Sequence, residues 1–258
     1  MSSPSQSAPE DEIEFLRKAL DAEGRRCAEL QGQLDRSNAE FEEFVSLAAH
    51  NLRESLREVA SYSQLLAETG ASPYLERIQE GAARAQSLLG DIVEYWATGA
   101  GERQASRTDM EAVLGQVLLS TDKLITGRNA VVSHDPLPEV IGDFETLAKV
   151  LRHLIGNAIE YCEAASPRVH VSAIRADREW VFSVEDNGPG VEAAFQGRLF
   201  SVFKRQHGKE HPGNGLGLAF CKKAVAWHGG RIWMKSAPGA GSTFYFSLPP
   251  ADDSATPA

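Results

Sequence analysis

An α+β chain, in which a long helical hairpin precedes an α/β sandwich, is predicted by three features of these 258 residues. Apolar residues recur at 3-4 spacing from Ile13 to Val59 and again from Leu75 to Trp96. A glycine-rich polar stretch, Thr98 to Ser106, then interrupts the pattern. Beyond it, helical segments alternate with short strands, most of them joined as hairpins, which suits one layer of helices on one face of a mixed sheet.

Residues 1–9 are rich in Ser and Pro and are expected to be disordered. From Glu10 a heptad seam runs through Ile13, Leu16, Leu20, Glu23, Cys27, Leu30, Leu34, Ser37, Phe41, Phe44 and Ala48, with Glu23 and Ser37 as its weak points. Charge-dense flanks fit a solvated two-stranded coiled coil over 10–40. The repeat continues through Leu52, Leu56 and Val59 after a small shift of register. His50 stands two positions past Ala48 and two before Leu52, beside the seam, and so projects toward solvent. The helix is expected to end near Glu68, where residues 69–73 supply a stop and a turn. A second helix carries Leu75, Ile78, Ala82, Ala85, Leu89, Ile92 and Trp96 on one stripe. One hairpin cannot bury both stripes, whereas two copies form a four-helix bundle over residues 41–98, so a homodimer is expected.

A linker over 99–107 separates this bundle from a second domain, 108–249. There, Asp109 caps a helix reaching about Ile125, and strands follow at 130–133 and 138–141. Asp143 caps a helix from Phe144 to about Ala164. Val169–Ile174 and Trp180–Glu185 alternate as paired strands. A loop-rich stretch, 187–214, precedes a helix from Leu216 to His228, ended by Gly229 and Gly230. Strands 231–236 and 242–248 close the domain, with 250–258 a loose tail.

The formal charge of −10 and pI near 5.2 argue against nucleic-acid binding, which calls for a basic face. Cys27, Cys162 and Cys221 are too few and scattered for a disulfide framework or a metal site, which suits a reducing cytoplasm. The longest apolar runs fall well short of the ~20 residues of a membrane span, and the first residues lack the apolar stretch of a signal peptide.

Four segments of the second domain carry chemistry when taken together. Asp186-Asn187-Gly188-Pro189-Gly190 follows directly on a strand. Gly213-Asn214-Gly215-Leu216-Gly217-Leu218 opens a helix, where backbone N–H groups and the helix dipole favour phosphate. Asn157 to Tyr161 lies within a helix, and Leu199 to Arg205 forms an amphipathic turn. Each alone is an ordinary turn, helix start or solvated face; their order and spacing make chance a poor account. In the first domain, a neutral imidazole such as His50 is a competent nucleophile toward phosphorus near neutral pH.

The set resembles the ATP-binding domain of the GHKL group (histidine kinases, Hsp90, gyrase B and MutL). The stretch His50-Asn51-Leu52-Arg53-Glu54-Ser55 resembles the phosphoacceptor box of sensor histidine kinases. The segment from Phe203 to Gly215 is similar to the short lids of phytochrome-like histidine kinases. That resemblance, over roughly 41–248, implies that Asp186 accepts a hydrogen bond from the adenine amine while Gly188 and Gly190 admit the base. It implies that Asn157 ligates Mg²⁺ and that Tyr161 stacks on adenine. By the same resemblance Gly213, Gly215, Leu216, Gly217 and Leu218 hold the lid hinge and phosphates, and Lys204 or Arg205 neutralises the transferring group. The implied activity is ATP- and Mg²⁺-dependent phosphorylation of His50, followed by transfer to an Asp of a response-regulator partner.

Several positions depart from the family's pattern. Asn51 replaces the acid that normally accepts the other imidazole proton. His153 stands where a second Asn is common, Glu160 where a Lys reaches the phosphates, and Ser55 where a Pro bends the helix. These changes leave open a second reading: a degenerate dimeric ATP-binding scaffold, or a phosphotransfer or phosphatase partner, with little autokinase activity.

Overall fold

The computed structural model describes residues 8–69, 73–99, 106–204 and 213–251. Arg205, the centre of the expected lid, most of the linker and most of the expected N-terminal and C-terminal tails lie outside those residues. Two compact units are present, Met1–Arg53 and Glu54–Ala258.

Helix α1 (Ala8–Thr69) begins in the first unit and ends in the second. Within the first unit Phe44 and Ala48 are buried, while Phe41, Val45 and His50 are exposed. Helix α2 (Pro73–Ala97) opens on a proline, whose missing N–H costs nothing at a first helical position. It pairs with the end of α1 through stacked Tyr62 and Tyr74 rings, 6.2 Å apart, and an ion pair between Arg84 and Glu58. Of the stripe expected on α2, Ala85 is buried together with Gly81 and Leu88. Leu75, Ala82, Leu89 and Trp96, spaced every seventh residue, are exposed in the single chain.

The sandwich has a small antiparallel pair, β1 (Ser106–Asp109) with β3 (Glu139–Gly142). Its main sheet combines β2 (Val131–His134), β4 (Arg168–Ala176), β5 (Glu179–Asp186), β6 (Ile232–Ser236) and β7 (Ser242–Leu248) in the order β2-β4-β5-β7-β6. Among the described strands only β2 and β4 pair in parallel. One sheet face turns Val169, Val171, Phe182, Val184, Phe244 and Phe246 into the core. Phe182 and Phe246 oppose one another in register with rings stacked 4.8 Å apart. Helices α3 (Met110–Ser120), α5 (Phe144–Glu160) and α7 (Gly217–Trp227) share this core. Helix α5 buries eight residues at 3-4 spacing, from Leu147 to Ile159. Each large apolar side chain so buried is worth about 1.5–3 kcal/mol before entropy. On the other sheet face Trp233 and Tyr245 stack at 5.5 Å, with Arg231 over the Trp233 ring and Lys235 over the Tyr245 ring.

Local chemistry accounts for the element ends. Asp109 and Asp143 both cap as expected, accepting from the N–H of Glu111 and of Thr146 at 2.9 Å. The helix expected to reach Ile125 breaks at Thr121, whose hydroxyl donates to the Val117 carbonyl at 2.7 Å. A short helix α4 (Asp122–Gly127) follows that break. Helix α5 stops at Glu160 and not near Ala164: Arg128 takes the Cys162 carbonyl at 2.6 Å, and Tyr161 forms the C-cap. Strand β1 was not expected, since its polar residues read as linker. His228 ties α7 to the start of α5. Its Nε2 accepts from the Asp143 N–H at 2.9 Å, so its Nδ1 carries the proton donated to the Ala224 carbonyl.

Within the same unit α2 is fastened to the sandwich. Glu94 lies 3.2 Å from Lys149, 3.4 Å from Arg152 and 3.6 Å from His153 Nε2, all on α5; the last is an ion-pair distance, longer than a hydrogen bond. Lys223 of α7 donates to the Tyr95 carbonyl at 2.8 Å and sits over the Tyr95 and Trp96 rings. The His153 ring above all, opposed by burial and aided by Lys149, holds the Glu94 carboxyl down from 4.5 to about 2. A depressed carboxyl stabilises the fold above its unfolded value and stops doing so as pH falls through its folded one. This contribution is therefore complete above pH 4.5 and is lost between there and about 2. Glu94→Gln is expected to lower the urea midpoint at neutral pH, and the gap from wild type should close as pH approaches about 2. A gap that does not shrink with acid would show that the ionised carboxylate is not what holds α2.

Candidate functional site

Three pieces of backbone converge at the open end of the helical layer: the last turn of α5, the turn after β5, and the glycine-rich entry to α7. Between them lies a cavity of about 410 Å³. Asn157 and Glu160 reach it from α5, Tyr161 from its cap, Asp186, Gly188 and Gly190 from the β5 turn, and Gly213, Gly215, Gly217 and Leu218 from the entry to α7. Lys204 lines it from the first end of the lid. Ten of the residues to which the sequence assigns a role are thus brought together, namely Asn157, Tyr161, Asp186, Gly188, Gly190, Lys204, Gly213, Gly215, Gly217 and Leu218. Leu216 is not among the lining residues; it is buried beneath the start of α7. Arg205 lies outside the described residues, and His50 belongs to the other unit, exposed on α1.

The β5 turn is rigid for identifiable reasons. Asp186 Oδ1 accepts from the N–H of Gly188 at 2.8 Å and of Ser242 at 3.1 Å, which joins the turn to the first residue of β7. Gly190 is required here: its φ is +76°, and a Cβ would stand 2.0 Å from the Ala237 carbonyl oxygen. Burial raises the Asp186 carboxyl above the ordinary range, against the two backbone donors that lower it. Both donors fall on Oδ1, so Oδ2 keeps its capacity to accept from a ligand donor.

The opposite side is built around the lid ends. Phe203 N–H donates to the Gly215 carbonyl at 2.9 Å, which draws the two ends together. Gly215, at φ +72°, passes so close to Phe203 and Lys204 that a Cβ would meet their backbone at about 3.0 Å. Tyr161 Oη lies 3.6 Å from the point a Cβ would occupy on Gly213. The amides opening α7 have no side-chain cap, which leaves them available to an anion. Burial also raises the Glu160 carboxyl, opposed by Arg128 and His153.

His153 does not point its chemistry at the cavity alone; its ring packs on Phe220 at 5.2 Å and faces Glu94. The sequence reading passed over Ser87 and Asp91 of α2, which also line the cavity, and Asn214, which joins them to the α7 entry. Nothing in the α2 sequence marks Ser87 and Asp91, since both read as a solvated helix face. Asn214 was visible as the non-glycine member of a glycine run.

A half-buried acceptor at one end, a glycine-rich helix start at the other, and a tyrosine and an amide oxygen between them can bind a planar amine-bearing ring linked to an anion. No helix among the described residues is long and apolar enough to cross a membrane.

Comparison with known proteins agrees with this geometry. Residues 142–252 match the family described as Histidine kinase-, DNA gyrase B-, and HSP90-like ATPase. Cyanobacterial phytochrome A of Nostoc sp. (strain PCC 7120) is 37% identical over 246 residues, 91% of this chain and 32% of that protein. The chain spans about a third of the length of the phytochrome and phytochrome-like relatives it matches. Among solved structures, full-length ShkA in complex with AMPPNP is 26% identical with a TM-score of 0.58, covering 81% of this chain and 45% of that one. Histidine kinase ThkA, crystallised with response regulator protein TrrA, shares the fold at 18% identity and a TM-score of 0.63, covering 98% of this chain and 70% of that one. By these similarities residues 142–252 belong to the histidine kinase-, gyrase B- and HSP90-like ATPase family, and the chain as a whole is similar to the core of sensor histidine kinases.

Proposed function

We propose that the chain, acting as a homodimer, phosphorylates its own His50 from MgATP and passes the phosphoryl group to an aspartate of a response regulator. The observation that carries this reading is the convergence of Asn157, Tyr161, Asp186 and two glycine-rich segments on one cavity in a chain that also exposes a histidine at the phosphoacceptor position. Asp186 would accept from the adenine amine, which guanine cannot match, and Tyr161 would cover the ring face. The glycine-rich entry to α7 would receive the phosphates on backbone N–H groups, with Lys204 or Arg205 offsetting charge on the transferring group. In the transfer itself a lone pair of the His50 imidazole forms the P–N bond, the bond to the bridging oxygen breaks, and ADP leaves.

The donors present fit Mg²⁺. Asn157 offers a neutral oxygen and Glu160 a carboxylate, while the described residues hold no group of three or more His, Cys, Asp or Glu that would cage a metal. A cation that keeps several waters and bridges phosphates needs few protein ligands. Bound there, it would supply charge neutralisation for the triphosphate.

The dimer reading rests on surface chemistry. Leu75, Leu89, Val93 and Trp96 are 47%, 54%, 61% and 39% exposed, and they lie with Leu56 on the hairpin. Bundles cover such stripes with a second copy. The same arrangement extends to the expected coiled coil, where Leu30 and Leu34 are exposed.

A second reading has its own support: Asn51 cannot act as a base for His50, and Glu160 places a carboxylate in the cavity where the family has a lysine. On that reading the chain is a dimeric ATP-binding scaffold or phosphotransfer or phosphatase partner with little autokinase activity.

The readings separate on measurement. With γ-labelled ATP, His50→Gln is expected to abolish labelling at unchanged nucleotide affinity, whereas Asp186→Asn should weaken binding by ~1–3 kcal/mol. Label retained by the His50 variant would assign the nucleophile elsewhere. One general base is worth about 10²–10⁴-fold, so Asn51→Glu with Glu160→Lys should raise the initial rate of phosphohistidine formation at least about tenfold. No product even from this double variant would establish the scaffold reading. Light scattering on the full chain at micromolar concentration should give the mass of two copies, and the mass of one would remove the dimer.

A further inference from the structure

Two of the side chains lining the cavity come from α2 and not from the sandwich: Ser87 and Asp91. Both engage Asn214, whose Nδ2 donates to Asp91 Oδ2 at 2.8 Å and lies 3.2 Å from Ser87 Oγ. Asn214 sits between Gly213 and Gly215, and Gly215 in turn accepts from Phe203 N–H. A hold on Asn214 is therefore a hold on both ends of the lid. Three residues beyond Asp91, Glu94 engages α5, and the Tyr95 carbonyl accepts from Lys223 of α7. Helix α2 is thus fastened to the two helices whose ends frame the cavity.

Charge gives this fastening a direction. The acidic and basic side chains that line the cavity among the described residues are Asp91, Glu160, Asp186, Lys204 and His153, three of them carboxylates. Among the described residues, Asp91 is the lining carboxylate hydrogen-bonded to the glycine-rich segment itself. Resting on the reading of this cavity as a nucleotide site, we propose that Asp91 is a specificity-determining residue that disfavours a third phosphate. With α2 fastened, the cavity holds a diphosphate nucleotide in preference to a triphosphate, and entry of the triphosphate releases α2 from Asn214. The terminal phosphate brings added negative charge to the α7 entry, next to a carboxylate that is already committed there. Like charges in a partly dry cleft repel strongly enough to offset one charge-assisted hydrogen bond. Once released, the Asn214 amide becomes a donor that phosphate oxygen can take, so the same side chain serves each state in turn.

The test compares MgATP and MgADP dissociation constants by titration calorimetry on the full chain, in wild type, Asp91→Asn and Asn214→Ala. Wild type should bind MgADP more tightly than MgATP. Asp91→Asn should tighten MgATP by about tenfold and MgADP by less than about twofold. Asn214→Ala, which frees α2 from the other side, should shift the ratio in the same sense by a smaller factor. Hydrogen exchange supplies an independent readout: amides of the last turns of α2 should exchange faster with MgATP than with MgADP in wild type, and equally fast in Asp91→Asn. An ATP-to-ADP ratio unchanged by both substitutions, or α2 exchange that ignores which nucleotide is bound, overturns the role of Asp91 and leaves the nucleotide reading standing. Absence of binding by either nucleotide in all three proteins overturns the nucleotide reading and this proposal with it.

Discussion

Leu147, Leu151, Leu154, Ile155 and Ile159 lose their contact with water when α5 packs between α3, α7 and the sheet, and that burial sets the rotation of the helix. With those positions committed to the core, the remaining edge of α5 is fixed as well. Lys149, His153 and Asn157 recur at four-residue intervals, followed by Glu160 and the capping Tyr161. The first two face α2, and the last three line the cavity. One amphipathic helix therefore joins the hairpin to the site without a loop between them. A single residue inserted between His153 and Asn157 would turn the cavity-lining residues by about 100° relative to those that face α2, so the helix could no longer serve both.

The two ends of the cavity are held by different kinds of force. Around Asp186, short bonds to backbone N–H groups and a glycine pressed against a neighbouring carbonyl leave little room to move. At the glycine-rich end, the contacts to α2 are side chain to side chain, partly exposed, and formed between residues more than a hundred positions apart. Such contacts are among the first to open in a folded protein. On the proposed reading, a fixed end for the ring and a releasable end for the anion suit a site that recognises one molecule while its charged part is delivered elsewhere.

Much of this was legible in the sequence, because it depends on local chemistry. Asp109 and Asp143 are N-caps by residue type, the α5 core face is a 3-4 pattern, and the strands from 168 to 186 alternate. What escaped were features decided by distant partners. Strand β1 has no apolar alternation and exists because β3 lies beside it. The early end of α5 depends on Arg128, more than thirty residues away, capturing the Cys162 carbonyl. Leu216 reads like its glycine neighbours in the motif, yet the turn into α7 directs it to the core. Ser87 and Asp91 carry no signal at all, since only the packing of α2 brings them to the site.

The outer face of the sheet has a consequence for solubility. Trp233 and Tyr245 place large rings there, but Arg231 and Lys235 lie over them and dress the apolar surface with charge. The two edge strands are short: β2 has four residues and β6 five, with Lys235 near the end of the latter. Short edges, a lysine on one of them, and cation-covered aromatics are how open sheets avoid adding strands from other molecules. The sandwich is thereby guarded against strand-to-strand aggregation, whereas the hairpin helices leave Leu56, Leu75, Leu89, Val93 and Trp96 exposed.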